Sequence, residues 1–261
     1  MSRIIAVVNQ KGGVGKTTTA VNTAAYLAAK GKKILLVDMD SQGNATTGLG
    51  IDRHDENSKD VYDVLVEEVP VAQAIKKTSI DGLDIMASNV ALAGAEILLV
   101  ERKNRELRLR QALEPIKDDY DYIFIDAPPS LGLLTLNALT AADSVLIPIQ
   151  AEFFALDGLV QLLVTLELVK DKLNPELSIE GVLITMFDGR TNLAVEVVKE
   201  IKEKFGEKVF EVVIPRNIKL SEAPSFGQPI NIYDKNSRGA KAYDALADEI
   251  IAQNKNNKRG N

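Results

Sequence analysis

The chain holds 261 residues, with 31 Lys plus Arg against 37 Asp plus Glu, one His, no Cys and no Trp, for a formal charge of −6. Without cysteine there is no disulfide framework, Cys-ligated zinc, iron–sulfur cluster or thiol nucleophile. A composition 46% hydrophobic and 26% charged is that of a globular protein whose core needs no covalent staples, so its chemistry has to come from carboxylates, lysines, hydroxyls and backbone.

Met1-Ser2-Arg3 runs directly into a β-branched segment at residues 4–8, too short for a signal-peptide core and without a small-residue cleavage site. Further buried strands are predicted at 33–37, 122–125, 144–149, 181–186 and 209–213, with a weaker one at 83–86, because each is apolar without polar alternation and is bounded by turn residues or charges. Between them, apolar spacing near 3.6 predicts helices at 16–30, 91–113, 135–142, 156–173, 193–205 and 239–253. The polar stretch 48–59 reads as an excursion from the sheet, with His54 in a solvated loop. The longest uncharged stretch, from Ala127 to Ala142, contains two prolines and falls short of the ~20 apolar residues of a membrane helix. These features predict a cytoplasmic protein of one domain over residues 1–253, with a disordered polar tail at 254–261. The fold class expected is α/β, a doubly wound and mostly parallel sheet flanked by helices, with ligands beyond the C-terminal strand ends.

The strongest local signal is Gln10-Lys11-Gly12-Gly13-Val14-Gly15-Lys16-Thr17-Thr18, between the first strand and the first helix. Glycines let successive backbone N–H groups curl around phosphate oxygens, and a helix N-terminus favours the anion. A lysine reaches the outer phosphates, and a hydroxyl serves Mg²⁺. The general pattern has glycine where this chain has Gln10, and Lys11 is additional.

The second strand ends in Asp38-Met39-Asp40-Ser41-Gln42-Gly43-Asn44, where carboxylates beside a phosphate loop can hold Mg²⁺ or orient water. Alternation puts Asp38 and Asp40 on one side, although the segment alone also fits a turn or helix cap. Residues 122–125 end in Asp126-Ala127-Pro128-Pro129-Ser130, an apolar strand closed by one Asp, as in a Walker B element. Ile214-Pro215-Arg216-Asn217 follows the last predicted strand and by itself fits a strand-end turn equally well.

Lys-Gly-Gly-x-Gly-Lys-Thr-Thr is the deviant Walker A motif, so the chain resembles the ParA/MinD/NifH group of P-loop ATPases. The resemblance implies ATP and Mg²⁺ as cofactors. Residues 11–18 (Lys11, Gly12, Gly13, Val14, Gly15, Lys16, Thr17 and Thr18) would surround the nucleotide, with Pro215 and Asn217 at adenine. Thr17, Asp40 and Asp126 would face the metal. Catalysis falls to Asp40, Lys11 and Lys16, with Asp40 positioning water and Lys11 reaching the nucleotide of the partner subunit in an ATP-sandwich homodimer.

Within the group, absence of cysteine excludes the iron proteins. The end of the chain, Gln253 to Asn261, lacks the apolar face of a MinD-type membrane helix, so no stable membrane binding is expected. The first strand begins too early for an N-terminal helix-turn-helix domain. What remains resembles the short chromosomal ParA (Soj) type, through residues 11–18, 38–44 and 126–130, Arg190-Thr191-Asn192 and Ser221-Glu222-Ala223-Pro224-Ser225. That family implies ATP-dependent binding of double-stranded DNA without sequence preference, hydrolysis stimulated by a ParB-like centromere-binding partner, nucleoid association, and movement of chromosome origins or plasmids. The alternatives are a related ATPase positioning a protein cargo, a MinD-like division-site ATPase, or a scaffold using ATP as structural glue.

The net charge of −6 opposes DNA binding, but residues 186–261 hold 13 Lys plus Arg against 11 Asp plus Glu, a net of +2. By resemblance Arg190 makes the DNA contact, with Lys219, Lys235 and Arg238 as companions, whereas solvated helix faces account for most lysines in this part.

Overall fold

The computed structural model describes residues 2–55, 57–152 and 155–257. Its strands are β1 (Arg3–Val7), β2 (Ile34–Asp38), β3 (Ile75–Lys77), β4 (Leu83–Met86), β5 (Tyr122–Asp126), β6 (Ser144–Gln150) and β7 (Ser178–Thr185), joined in one sheet of order β3-β4-β2-β5-β1-β6-β7. All neighbours run parallel except β3, which is antiparallel to β4. Alternate residues enter two cores. Leu35, Val37, Ile123 and Ile125 face one side, and Ile34, Leu36, Tyr122 and Phe124 the other. Burial on both faces is the reason these strands lack polar alternation, and each fully buried Leu or Ile contributes about 1.5–3 kcal/mol.

The first core is covered by α3 (Val61–Leu65), α4 (Leu92–Leu99), α5 (Arg108–Leu113), α6 (Leu133–Ala141), α7 (Ala155–Lys172) and α8 (Asn192–Phe205). The second lies under α1 (Lys16–Ala29), α2 (Asn44–Gly48), α9 (Ile218–Glu222), α10 (Ile230–Tyr233) and α11 (Arg238–Asn257). This is the doubly wound α/β arrangement expected. Because β1 lies between β5 and β6 while its crossover α1 leads to β2, the loops after β1, β2 and β5 converge at one sheet edge, where such folds bind ligands. No described helix is long and apolar enough to cross a membrane.

Three expectations differ from the structure, and one strand was not expected. Residues 209–213 form no strand. They meet β7 through one isolated bridge, Val182 with Val209, because the Glu249 carboxylate on α11 accepts the N–H groups of Glu211 (2.9 Å) and Val212 (3.2 Å). The helix expected at 91–113 is split into α4 and α5. Buried Asn137 on α6 donates to the Arg105 carbonyl (2.7 Å) and accepts from the Leu109 N–H (3.1 Å), replacing helical partners there. The three-residue edge strand β3 had no periodicity to reveal it, and its Lys76 and Lys77 mark a charged edge.

Finally, α11 runs to Asn257, past the expected end at 253, and Asn254 is buried, donating to Glu180 Oε1 (3.3 Å) and the Ile250 carbonyl (3.0 Å). Residues 258–261 of the expected tail lie outside the described residues. His54 is exposed in the loop after α2.

Glu180 fastens the sheet at the edge opposite the converging loops. Its buried carboxylate accepts from Arg3 Nε (2.8 Å) and Nη2 (2.5 Å), Ser144 Oγ (2.7 Å) and Asn254, joining β1, β6, β7 and α11. Removing the acceptor strands several donors. Glu180→Ala is therefore expected to lower the unfolding free energy by about 3 kcal/mol, and Asn254→Ala, which deletes one contact, by about 1 kcal/mol. Urea unfolding checks both, and equal small losses would contradict the staple.

Candidate functional site

Between β1 and α1 the chain turns through Gly13 (φ +75°) and Gly15 (φ +89°). A Cβ on Gly15 would meet nothing closer than Met186 Cε at 3.7 Å, so the left-handed backbone, not space, calls for glycine. The loop is pinned by buried Asn9, whose Nδ2 donates to the Pro148 carbonyl (2.8 Å) and whose Oδ1 accepts from the Lys11 N–H (2.9 Å). Thr185 Oγ1 holds the other end through the Val14 carbonyl (2.8 Å). At the start of α1 no side chain caps the helix and no acidic residue occupies the first turn, so its N–H groups and positive dipole end are left for an anion.

Lys16 is buried and folds back, its Nζ donating to the Lys11 carbonyl (3.3 Å). Burial pushes its pKa down, and the charges of Asp126 and Asp40 work against that shift. Lys11 instead points to Glu152 at 2.6 Å, both side chains being nearly half exposed. Gly12 and Gly13 are exposed, Val14 is buried, and Thr17 and Thr18 are half-buried on the first turn of α1.

The strand-end carboxylates meet here. Asp38 and Asp126 are register partners at the ends of β2 and β5, both at 0% exposure. Their hydrogen bonding is unequal. Asp38 Oδ2 accepts from the Thr46 N–H and Thr46 Oγ1, both at 2.8 Å, and its Oδ1 accepts from the Asp40 N–H at 3.2 Å. Neither oxygen of Asp126 has a hydrogen-bond partner among the described residues. Burial pushes the Asp38 carboxyl up to about 6. Burial, followed by the neighbouring Asp38 charge, pushes that of Asp126 well up. The Thr17 hydroxyl and the Lys16 charge act on Asp126 in the opposite sense, with Thr17 near enough to matter but outside full hydrogen-bond geometry. Asp40, half-buried, accepts from the Gln42 N–H at 3.0 Å, and its charge reaches Lys16, Asp38 and Asp126.

This donor set fits a hard cation. An orphaned buried carboxylate beside a hydroxyl suits Mg²⁺, which takes one or two carboxylates and draws its remaining oxygens from phosphates and water. Among the described residues no three carboxylates or histidines suffice alone to hold a metal.

A cavity of about 220 Å³ adjoins the loop, lined by Gly15, Thr18, Met186, Pro215, Asn217 and Tyr243 among others. Asn217 caps α9, its Oδ1 accepting from the Lys219 N–H (2.8 Å), which leaves the Nδ2 group as the donor it can offer. Met186 holds φ +49° just past β7, a left-handed backbone that is strained for a non-glycine residue and is concentrated at functional sites. Sequence reasoning missed Asn9, Thr46, Met186 and Tyr243. Of these, only Asn9, next to the glycine loop, carried any local signal.

The four basic residues expected at DNA all lie on the C-terminal portion, with Lys219 on α9 next to residues that line the cavity. Arg190 is 88% exposed and pairs with Asp188, Nη2 to Oδ2 at 2.5 Å and Nε to Oδ1 at 2.8 Å. Its hydrogen bonds hold the Asp188 carboxyl down to about 2. Exposed Arg216 lines the cavity, and its charge also acts on Asp188 in the same sense as Arg190. Lys219 pairs with Glu222 (2.8 Å) and lies 5.7 Å from the Tyr233 ring centre. Lys235 and Arg238 are exposed and in no ion pair among the described residues.

Residues 2–179 match the AAA-domain family. The chain is 58% identical over 252 residues to the sporulation initiation inhibitor protein Soj of Bacillus subtilis, covering 97% of this chain and 99% of Soj. It is 54% identical to the chromosome partitioning protein ParA of Myxococcus xanthus, over 96% of this chain and 88% of that one. Among solved structures, cobyrinic acid a,c-diamide synthase from Mycobacterium smegmatis with bound ADP and magnesium superposes with a TM-score of 0.85 at 38% identity, covering 98% of this chain and 96% of that one. With a phosphate loop of this geometry, paired strand-end aspartates and near-complete coverage by Soj and ParA relatives, the chain belongs to the ParA/Soj family of chromosome-partitioning P-loop proteins.

Proposed function

We propose that this chain is a Mg²⁺-dependent ATPase for DNA segregation. In this reading ATP closes a sandwich homodimer, the dimer binds double-stranded DNA without sequence preference on the nucleoid, and hydrolysis stimulated by a ParB-like partner resets it. The observation that carries the reading is the fully buried Asp126 carboxylate, without a hydrogen-bond partner among the described residues, together with an uncapped helix N-terminus and a left-handed glycine loop. A buried charge without a partner is costly, and it is retained where a ligand supplies the counter-charge. The Mycobacterium relative holds ADP and Mg²⁺ in one structure and an ATP analogue and Mg²⁺ in another, which supports the same ligands here.

The roles follow from the residues. Backbone N–H groups from Gly12 to Thr17 bind the phosphates, Lys16 neutralises their outer charge, and Val14 and Thr18 complete the wall of the loop. Thr17 and Asp126 hold the cation, with Asp40 at the edge of its shell. Mg²⁺, when bound with the nucleotide, neutralises charge building up on the phosphate oxygens. Asp40, half-buried and fixed through its own N–H, orients the attacking water. Pro215 and Asn217 take the base. Lys11 leaves Glu152 for the nucleotide of the partner subunit. That exchange is cheap, since an ion pair this exposed contributes about 0–1 kcal/mol.

Arg190 is favoured as the DNA contact because its guanidinium projects into solvent on a portion that is net basic within an acidic chain. Opening its pair with Asp188 exchanges a partly exposed carboxylate for a phosphate. Lys219, Lys235 and Arg238 extend the contact.

Two variants test the cycle. Asp40→Ala is expected to lower ATP turnover by about a hundredfold or more while ATP binding and the dimer persist; turnover at the parental rate removes Asp40 from the mechanism. For the parent chain, duplex binding should require ATP, ignore sequence and weaken steeply with salt. Arg190→Ala should abolish duplex binding while leaving ATP-dependent dimerisation intact. DNA binding indifferent to nucleotide contradicts the proposal, and loss of dimer and DNA together makes Arg190 structural.

A further inference from the structure

Thr46 is fully buried on the five-residue helix α2, eight positions after Asp38, in a segment whose other hydroxyls have no comparable contacts. Its backbone N–H and its Oγ1 both donate to the same oxygen, Asp38 Oδ2, at 2.8 Å. The same Oγ1 accepts the buried Ser88 N–H at 3.0 Å, from the segment that follows β4. The hydroxyl donates its one O–H to Asp38 and uses its capacity as an acceptor for the Ser88 N–H. The other oxygen of Asp38 accepts the Asp40 N–H at 3.2 Å. Asp38 is therefore a hub inside the loop, held from one side by Thr46 and holding Asp40 on the other.

We propose that Thr46 is a positioning residue. Its hydroxyl fixes the Asp38 carboxylate, which sets the backbone of Asp40 and leaves Asp126 as the carboxylate of the pair that is open to a ligand. Thr46 acts through Asp38, because its hydroxyl is committed to that carboxylate and to the Ser88 N–H. The link continues outward. Ser88 is followed by Asn89, whose Nδ2 donates to Asp60 Oδ2, and Asp60 caps α3 by accepting from the Tyr62 N–H (2.7 Å). Movement of Asp38 is thereby tied to the β4–α4 connection and to α3. A threonine is suited to this place because its methyl fills buried space while its hydroxyl serves both partners. Valine keeps the shape and loses both bonds, leaving the Ser88 N–H buried and unpaired.

The proposal rests on the ATPase reading for its kinetic arm alone, and hydrogen exchange of the nucleotide-free protein tests it independently. In T46V the amides of Asp40 and Ser88 are expected to exchange about tenfold faster than in the parent, and in T46S within about twofold of it. With MgATP, kcat of T46V is expected to fall about 10- to 100-fold while KM for ATP stays within about twofold, and T46S should retain parental kcat. Should T46V fail to fold, T46A removes the same hydroxyl and is read in the same way. Parental exchange or parental kcat in the hydroxyl-less variant overturns the proposal. So does a T46S variant as impaired as T46V, because shape rather than the hydroxyl then matters. A parent chain that does not hydrolyse ATP contradicts the ATPase reading instead, and the exchange result still decides the role of Thr46.

Discussion

The structure depends on two aspartates placed side by side where water does not reach. Asp38 and Asp126 close adjacent parallel strands at the same register, and both are fully buried. Burying an ionised carboxylate costs several kcal/mol even after relaxation, and two neighbours raise each other's cost. The fold meets that cost unevenly. Three donors surround Asp38, whereas among the described residues Asp126 has only the field of Lys16 and the nearby Thr17 hydroxyl. The sheet tolerates this because the surrounding core is large, with every residue of β2 and β5 buried. In the proposed function, this open carboxylate is where the cation is held.

Position follows from topology. In a parallel sheet the C-terminal strand ends share one edge, and the reversal of strand order around β1 brings the loops after β1, β2 and β5 together. The helix that leaves β1 carries no cap of its own, and the missing cap is a charged ligand in the proposed function. At the opposite edge, Glu180 ties β1, β6, β7 and α11 together, so stability and ligand binding are assigned to different ends of the same strands. The two ion pairs that the proposed cycle exchanges, Lys11 with Glu152 and Arg190 with Asp188, each keep at least one side chain in contact with solvent, which limits the cost of rearranging them.

Features carried by a few consecutive residues were legible before the fold was known. The glycine loop depends on local backbone conformation, the buried strands on unbroken β-branched runs, and the aspartates on their place at strand ends. What stayed hidden depends on partners distant in sequence. Asn137 divides a periodic apolar stretch into α4 and α5 by supplying side-chain hydrogen bonds across 28 and 32 positions. Glu249 takes the amides that a strand at 209–213 would have used. Asn254, in a segment whose composition resembles a disordered tail, is ordered by the buried Glu180. Thr46 and Met186 left no trace in the pattern, because a hydroxyl's partner and a backbone angle are both set by tertiary structure.

Calorimetric titration of ATP with and without Mg²⁺, on the parent chain and on Asp126→Asn, bears most directly on the open carboxylate. The account predicts that Mg²⁺ strengthens ATP binding to the parent and that Asp126→Asn loses this gain, while its nucleotide-free unfolding midpoint is equal to or above the parent's because a buried carboxyl that is costly to ionise has become a neutral amide. An Asp126→Asn protein that keeps the full Mg²⁺ effect, or that is markedly less stable without nucleotide, would contradict it.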